Sequence, residues 1–203
     1  MSFTDNFGNP KGLIGRMMLA TMDKEHLPMA EWALEQLEIP QEGYILDIGC
    51  GGGYNIRRML EMSEEGKFIG LDISEESVRK AKKVNSAELD KRVKIIQGSA
   101  ERLPCKPESI SLVTAFETVF FWKDVDLAFE NVYCCLKDGG SFAVINNYGD
   151  PNVDWEKKVP CMTRYTAEEI EAKMETADFT GITVSRKDNL FLVCGQKEQR
   201  AAE

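Results

Sequence analysis

The chain has one histidine, His26, among 203 residues. Its six cysteines, Cys50, Cys105, Cys134, Cys135, Cys161 and Cys194, include no C-x-x-C pair. Zinc sites need several nitrogen or sulfur ligands at close spacing, so no metal is expected and the thiols are read as scattered and reduced. A catalytic triad has only that one histidine to draw on, and His26 itself is placed as a helix-start or surface residue. Long apolar runs are missing as well. No segment approaches 18 uninterrupted apolar residues, and "MSFTDNFGNPKG" has no charged-then-apolar leader pattern. A cytoplasmic protein with no membrane partner is the expectation. Positive charge is also short: 25 Lys and Arg stand against 34 Asp and Glu, a net charge of -9. Nucleic-acid binders carry basic patches, and the one dense basic stretch, Arg79 to Lys83, falls on the solvated face of an amphipathic pattern. Nucleic acid is therefore not an expected partner.

No repeat, low-complexity tract or linker divides the chain, whose length suits one domain with a full core. Periodicity predicts amphipathic helices over 12–22 and 27–37. An alternation follows. Short apolar runs at 43–48, 67–72, 93–97, 110–116 and 141–146 read as buried strands, separated by helical stretches at 54–62, 75–89 and 125–136. Ser74 before Glu75 and Glu76 is a helix start, and Thr166 with Glu169 is a capping box opening a helix to about Ala177. Two runs, 181–186 and 189–195, are separated only by Lys187 and Asp188 and suit an antiparallel hairpin. Strands alternating with helices imply a parallel sheet covered on both faces. The expectation is an α/β Rossmann-like three-layer sandwich, its seven-stranded sheet mostly parallel with an antiparallel C-terminal hairpin.

The densest signal is "YILDIGCGGGY", 44–54, an apolar run followed by Gly49, Gly51, Gly52 and Gly53. Ligands of open α/β sheets bind beyond the carboxyl ends of the strands, and a backbone-lined turn entering a helix receives a polar or anionic group there. The second strand ends at Asp72, where an acidic side chain meets a bound ribose. Together they point to a nucleoside-containing cofactor. A dinucleotide fingerprint fails, because Tyr54 stands where the third glycine belongs, and no Lys-Ser/Thr follows to make a P-loop. What remains is D-x-G-x-G-x-G, Asp47 to Gly53. With "GSAERLP" at 98–104, "LKDGG" at 136–140 and "ADF" at 177–179, the sequence here resembles the class I S-adenosylmethionine-dependent methyltransferases, over roughly residues 40–197.

The resemblance implies a single methyltransferase domain over 1–203, with 1–40 as a helical cap on a core of 41–203. It implies S-adenosylmethionine as cofactor, its methionine part against Asp47, Gly49, Gly51 and Gly53, its ribose on Asp72 and its adenine against Ile73. Ser99 stands where family members often carry an aspartate for the adenine amino group; the Ala100 N–H and the Glu101 carboxylate are the substitutes. Tyr54 and Arg16 are further cofactor-side candidates, Arg16 for the cofactor carboxylate. A sulfonium is already an activated methyl donor, so alignment of an in-line nucleophile within about 3–3.5 Å is the main requirement. Glu117, just past the fourth strand, is the candidate catalytic carboxylate, a loop acid or helix cap being its other reading. Val119 and Phe120 occupy positions where relatives often have histidines, which counts against a histidine mechanism. Trp122, Asn146, Tyr148 and Trp155 are substrate-side candidates, the last three on the long 146–165 connection. A small-molecule acceptor is expected, with a non-catalytic cofactor-binding module as the alternative. Oligomeric state is left open.

Overall fold

Seven strands carry the apolar runs: β1 (Tyr44–Ile48), β2 (Lys67–Asp72), β3 (Val93–Gln97), β4 (Ile110–Phe116), β5 (Leu136–Asn147), β6 (Thr180–Lys187) and β7 (Leu190–Gln196). The structure, a computed structural model, describes residues 27–148, 153–154, 157, 159 and 161–200. The strands form one sheet in the order β3-β2-β1-β4-β5-β7-β6. Neighbours from β3 through β5 run parallel, and β7 is antiparallel to both β5 and β6. This is the expected mixed sheet with its C-terminal hairpin. β4 is buried at every position, as befits a parallel strand covered on both faces, whereas the edge strand β6 is largely exposed.

Five helices cover the sheet among the described residues: α1 (Leu27–Leu34), α2 (Tyr54–Glu61), α3 (Glu75–Val84), α4 (Val125–Cys135) and α5 (Ala167–Thr176). Alternation along the strands divides the core in two. Ile45, Phe68, Leu112 and Ile145 pack with Met29 and Ala33 of α1, Ile56 and Met59 of α2 and Val78 and Ala81 of α3. On the other face Leu46, Val113, Phe142 and Val144 pack with Phe129 and Val132 of α4 and Ile170 and Met174 of α5. The result is the three-layer sandwich. Local signals start the helices as read. Ser74 Oγ accepts from Ser77 N–H, Asp124 caps α4 through Leu127 N–H, and Thr166 with Glu169 completes the reciprocal capping box. Each cap is worth about 1 kcal/mol.

Several boundaries differ from the sequence reading. α1 stops at Leu34, its exit tightened by the Gln36 N–H to Ala33 O and Leu37 N–H to Leu34 O bonds before Ile39 and Pro40. α3 stops at Val84 because the Asn85 side chain turns back, its Nδ2 donating to Ala81 O at 3.0 Å. "LKDGG" is not a separate turn but the irregular start of β5: Leu136 pairs with Ile110, and Gly139 and Gly140 exchange backbone bonds with Lys197. The hairpin turns on Asp188 and Asn189, with Asp188 at a φ of 52°. The expected helix at 12–22, Arg16, His26 and Trp155 lie outside the described residues.

Candidate active site

β1 delivers Asp47 to the carboxyl edge of the sheet, where it is almost completely buried. Thr114 of the neighbouring β4 donates its hydroxyl to Asp47 Oδ1 at 2.8 Å. Asp47 Oδ2 is buried with no hydrogen-bond partner. Burial pushes the Asp47 acid up to about 7; the Thr114 bond opposes this, and the Asp72 charge adds to it.

The glycine loop follows. The Gly49 and Cys50 N–H groups both donate to Leu71 O, at 2.7 and 3.0 Å, and clamp the loop onto the end of β2. Gly49 has a φ of 73°, and a Cβ there would lie 2.1 Å from Thr118 Oγ1, so this glycine makes room for Thr118. Gly53 makes room for α3, since its Cβ would meet Ala81 Cα at 2.9 Å. Gly51 is different. With a φ of 51°, a Cβ there would meet nothing within 4 Å. The tip of the loop therefore faces open space, and its left-handed backbone is what calls for glycine there.

Asp72 is tied to the same loop. Its Oδ2 accepts from Gly51 N–H at 2.9 Å and its Oδ1 from Ser74 N–H at 2.8 Å. Burial raises its acid, and these two bonds together with one from the Ser77 hydroxyl work against the rise. Each oxygen thus already has a backbone donor and the Ser77 hydroxyl adds a third protein donor, a use of Asp72 that the sequence did not disclose. Ile73 beside it is 43% exposed, an apolar surface at the strand's end. Ser99 and Ala100 follow β3, the Ala100 side chain being buried in the core. Glu101 is not a free acceptor. Its Oε1 takes the Lys123 N–H at 2.8 Å, and the Ser99 hydroxyl and Asp124 N–H also serve it. Burial raises its acid, but these bonds and its own N–H outweigh that and leave it lowered. Tyr54 is 37% exposed, with the Lys80 ammonium 5.5 Å from its ring centre.

Beyond β4, Glu117 takes a left-handed φ of 52°, a conformation that costs a non-glycine residue about 1–3 kcal/mol and clusters at functional sites. Its N–H donates to Ile145 O at 2.8 Å, and its carboxyl accepts the Asn147 N–H. Although the residue keeps some exposed surface, burial of its carboxyl pushes the acid up to about 8 against the Asn147 bond. Asn146 is 1% exposed, and neither its Nδ2 nor its Oδ1 has a partner. Trp122 packs edge-on to Phe129 and donates to Thr118 Oγ1 at 3.4 Å; Tyr148 stacks on Phe191 and accepts from Ala167 N–H at 3.4 Å. Both thus take part in the protein's own packing, whatever else they contact. Phe116 and Phe120 are buried too. Thr114 and Thr118 were missed in the sequence reading. For Thr114 the only signal is a hydroxyl late in a strand whose one other polar residue is Ser111.

The Asp47–Asp72 region suits the S-adenosylmethionine that the resemblance implies. An orphaned buried carboxylate oxygen and an open ledge at Gly51 lie beyond the carboxyl end of β1, beside that of β2, and Ile73 offers an exposed apolar side chain. Among the described residues, no group of three or more His, Cys, Asp or Glu could hold a metal ion.

Comparison with known proteins agrees with this geometry. A family model for a methyltransferase domain matches residues 46–144. The chain is 27% identical over 168 residues to the uncharacterized methyltransferase YdaC of Bacillus subtilis, covering 82% of this chain and 88% of that one. Among solved structures, a Haloferax volcanii protein in complex with the Trm112 methyltransferase activator superposes with a TM-score of 0.76 at 21% identity, over 90% of this chain and 94% of that one. Haemonchus contortus phosphoethanolamine N-methyltransferase 2, bound to phosphomonomethylethanolamine and S-adenosylhomocysteine, gives 0.72 at 18% identity, over 96% and 55%. At such identities the structural likeness speaks for the fold.

Proposed function

We propose that this chain, which belongs to the class I S-adenosylmethionine-dependent methyltransferases, passes a methyl group to a small-molecule acceptor by in-line displacement. The observation that carries the reading is the pairing of Asp47, whose Oδ2 is buried without a partner, with the open ledge at Gly51. S-adenosylmethionine, when bound, supplies a sulfonium-activated methyl group. Asp47, Gly49, Gly51, Gly53, Asp72, Ile73 and Ala100 hold it, with Ser99, Tyr54 and Arg16 as further contacts. Glu101 acts indirectly, by fixing Ser99 against the start of α4.

Catalysis asks little of acid or base. Glu117 is our candidate for either task, since burial brings its acid up to about 8, near the working pH. Asn146 supports a small polar acceptor: its carboxamide offers an unpaired donor and an unpaired acceptor at the carboxyl end of β5. Trp122, Tyr148 and Trp155 complete the acceptor side of the proposal. The chain is one domain in which residues 27–34 of the expected cap pack into the core as α1, and it works in the cytoplasm. Among the described residues, no helix is long and apolar enough to cross a membrane.

The test is calorimetric titration with S-adenosylmethionine, S-adenosylhomocysteine and NAD in parallel, followed by a screen of small nitrogen, oxygen, sulfur and carbon nucleophiles with the donor. Binding of the first two and turnover of a small acceptor are expected. Cofactor binding with methylation of protein or nucleic acid alone would remove the small-molecule reading. Binding without any turnover would leave a sensor or partner subunit.

A further inference from the structure

The loop between β3 and β4 carries a thiol that the active site does not use. Cys105 Sγ lies 2.8 Å from the Sγ of Cys135, the last residue of α4. The backbone holds the two segments together independently of these side chains. Glu108 N–H donates to Cys134 O at 3.0 Å, Ser109 N–H donates to Cys135 O at 2.9 Å, and Ile110 pairs with Leu136. Cys135 is buried, while Cys105 is half-buried and opens the pair to small solutes. Nearby, Lys197 Nζ donates to Leu136 O at 2.9 Å, which sets a cation beside Cys135. The bond from Cys105 and then the Lys197 charge lower the Cys135 thiol against its burial, whereas donating that bond raises Cys105. One thiol is thus the better nucleophile and the other the better-exposed partner, the arrangement of an oxidisable cysteine beside a resolving one.

We propose that Cys105 and Cys135 are a redox modification site: a dithiol that a peroxide closes to a disulfide and a thiol reductant reopens, fastening the β3–β4 loop to α4. In the first step the Cys135 thiolate attacks a peroxide oxygen. The O–O bond breaks, Cys135 becomes a sulfenic acid, and hydroxide leaves as water with the thiol's proton. Cys105 then attacks Cys135 Sγ, forming the S–S bond as the S–O bond breaks, and its proton leaves with the hydroxyl as a second water. The two sulfurs together lose two electrons, and one hydrogen peroxide gains them.

The loop is already pinned at its start, where Asn131 Nδ2 donates to Glu101 O at 2.9 Å and Lys123 N–H to Glu101 Oε1. A second tie at Cys105 therefore immobilises the exposed stretch between, which contains Arg102. Lys106 precedes Pro107, so Arg102 is the place where trypsin can cut this stretch. Neither closure of this pair by peroxide nor tryptic cutting at Arg102 depends on a bound cofactor.

The full chain is reduced, desalted, treated with one equivalent of hydrogen peroxide at neutral pH, alkylated under denaturing conditions and digested for mass spectrometry. A linked pair of peptides joining Cys105 to Cys135, two hydrogens lighter and restored by dithiothreitol, is expected, with the other four cysteines alkylated. Tryptic cutting after Arg102 in the native protein should slow about threefold or more on oxidation and recover on reduction, as local opening becomes rarer. Cys105→Ser and Cys135→Ser should abolish both effects; should either variant fail to fold, reversal by dithiothreitol in the unaltered chain still decides. Thiols left free, a link through Cys134, or stepwise over-oxidation of one cysteine would overturn the site. A confirmed link with unchanged cutting at Arg102 would overturn the fastening of the loop.

Discussion

Thr114 gives its hydroxyl hydrogen to Asp47 Oδ1 at 2.8 Å across 67 positions of sequence, and the other carboxylate oxygen is left buried with nothing to bond. The unliganded fold therefore carries an unsatisfied acid whose natural relief is a proton or a ligand. The acid's value in the fold, about 7, exceeds the 3.8 it has when free. Its contribution to stability is fully present below about pH 4 and is lost as pH rises through 7.

Asp47→Asn keeps an acceptor for Thr114 and removes the charge. Without ligand, this variant should be more stable than the native chain near about pH 8.5, by up to about 4 kcal/mol as an upper bound from the shift. At about 2–4 °C per kcal/mol for a chain of this size, thermal melts resolve the gain. The gain should shrink to roughly 1–2 kcal/mol near about pH 5 and vanish only below about pH 4, where the acid is protonated in the folded and unfolded states alike. Affinity for S-adenosylmethionine should fall about tenfold or more, stability and function trading against each other at one residue. A stability difference that ignored pH would refute the assignment.

Gly49 and Gly51 should respond differently to the same substitution. Gly49→Ala drives a methyl into Thr118, three of whose side-chain atoms lie within 2.9 Å of the added Cβ. A loss of roughly 2–4 kcal/mol follows from overpacking plus the left-handed backbone. Thr118→Gly in the same chain should recover part of it, a coupling expected between neighbours in contact. Gly51→Ala meets no atom, so only the left-handed backbone preference of about 1–2 kcal/mol is lost. Its effect should appear in calorimetry instead, as a drop of about tenfold or more in cofactor affinity. Equal melting losses for both variants would mean that the ledge at Gly51 is structural.

Much of this was legible beforehand. Apolar runs bounded by glycine and polar residues placed all seven strands, and the Thr166–Glu169 box and Ser74 placed helix starts, because periodicity and capping act locally. The errors arise where a distant partner decides. α3 has good helical sequence past Val84, but Asn85 is called away to Gly53 O, 32 residues earlier, at 2.9 Å. Glu101 looks like a spare acceptor until the start of α4 folds against it. Nothing local announces that Glu117 takes a left-handed backbone, since glutamate has no preference for it. The glycine motif located the loop but could not separate Gly49, which yields to Thr118, from Gly51, which yields to open space.

Asp72 has a structural duty beside its expected ribose contact. Asp72→Asn retains one carbonyl oxygen, so either Gly51 N–H or Ser74 N–H loses its acceptor. An unmet buried donor costs about 1–3 kcal/mol. The variant should melt earlier and bind cofactor more weakly, and amide hydrogen exchange at Gly51 or Ser74 should quicken. Weaker binding with unchanged exchange at both amides would mean that Asp72 serves the ligand alone.

Glu117 should distinguish the donor from its product. Its acid is pushed up to about 8 by burial, so in the unliganded protein it is mostly neutral at pH 7. A bound cation close by favours the ionised form, and donor binding should then release a proton that binding of the uncharged product sulfur does not. Both ligands share the same amino-acid end, so its titration cancels in the ratio of their affinities. That ratio should shift toward the donor by about threefold to tenfold between about pH 6.5 and 9, with Asp47 contributing below about pH 7.5 and Glu117 above it. In Glu117→Gln the upper part of the rise should disappear while product affinity stays within about threefold. Isothermal titration in two buffers of different ionisation enthalpy measures the released proton directly. A ratio flat with pH in the native chain would mean that the sulfonium binds away from Glu117, and its carboxyl would then have to be read as the clamp on Asn147 and no more.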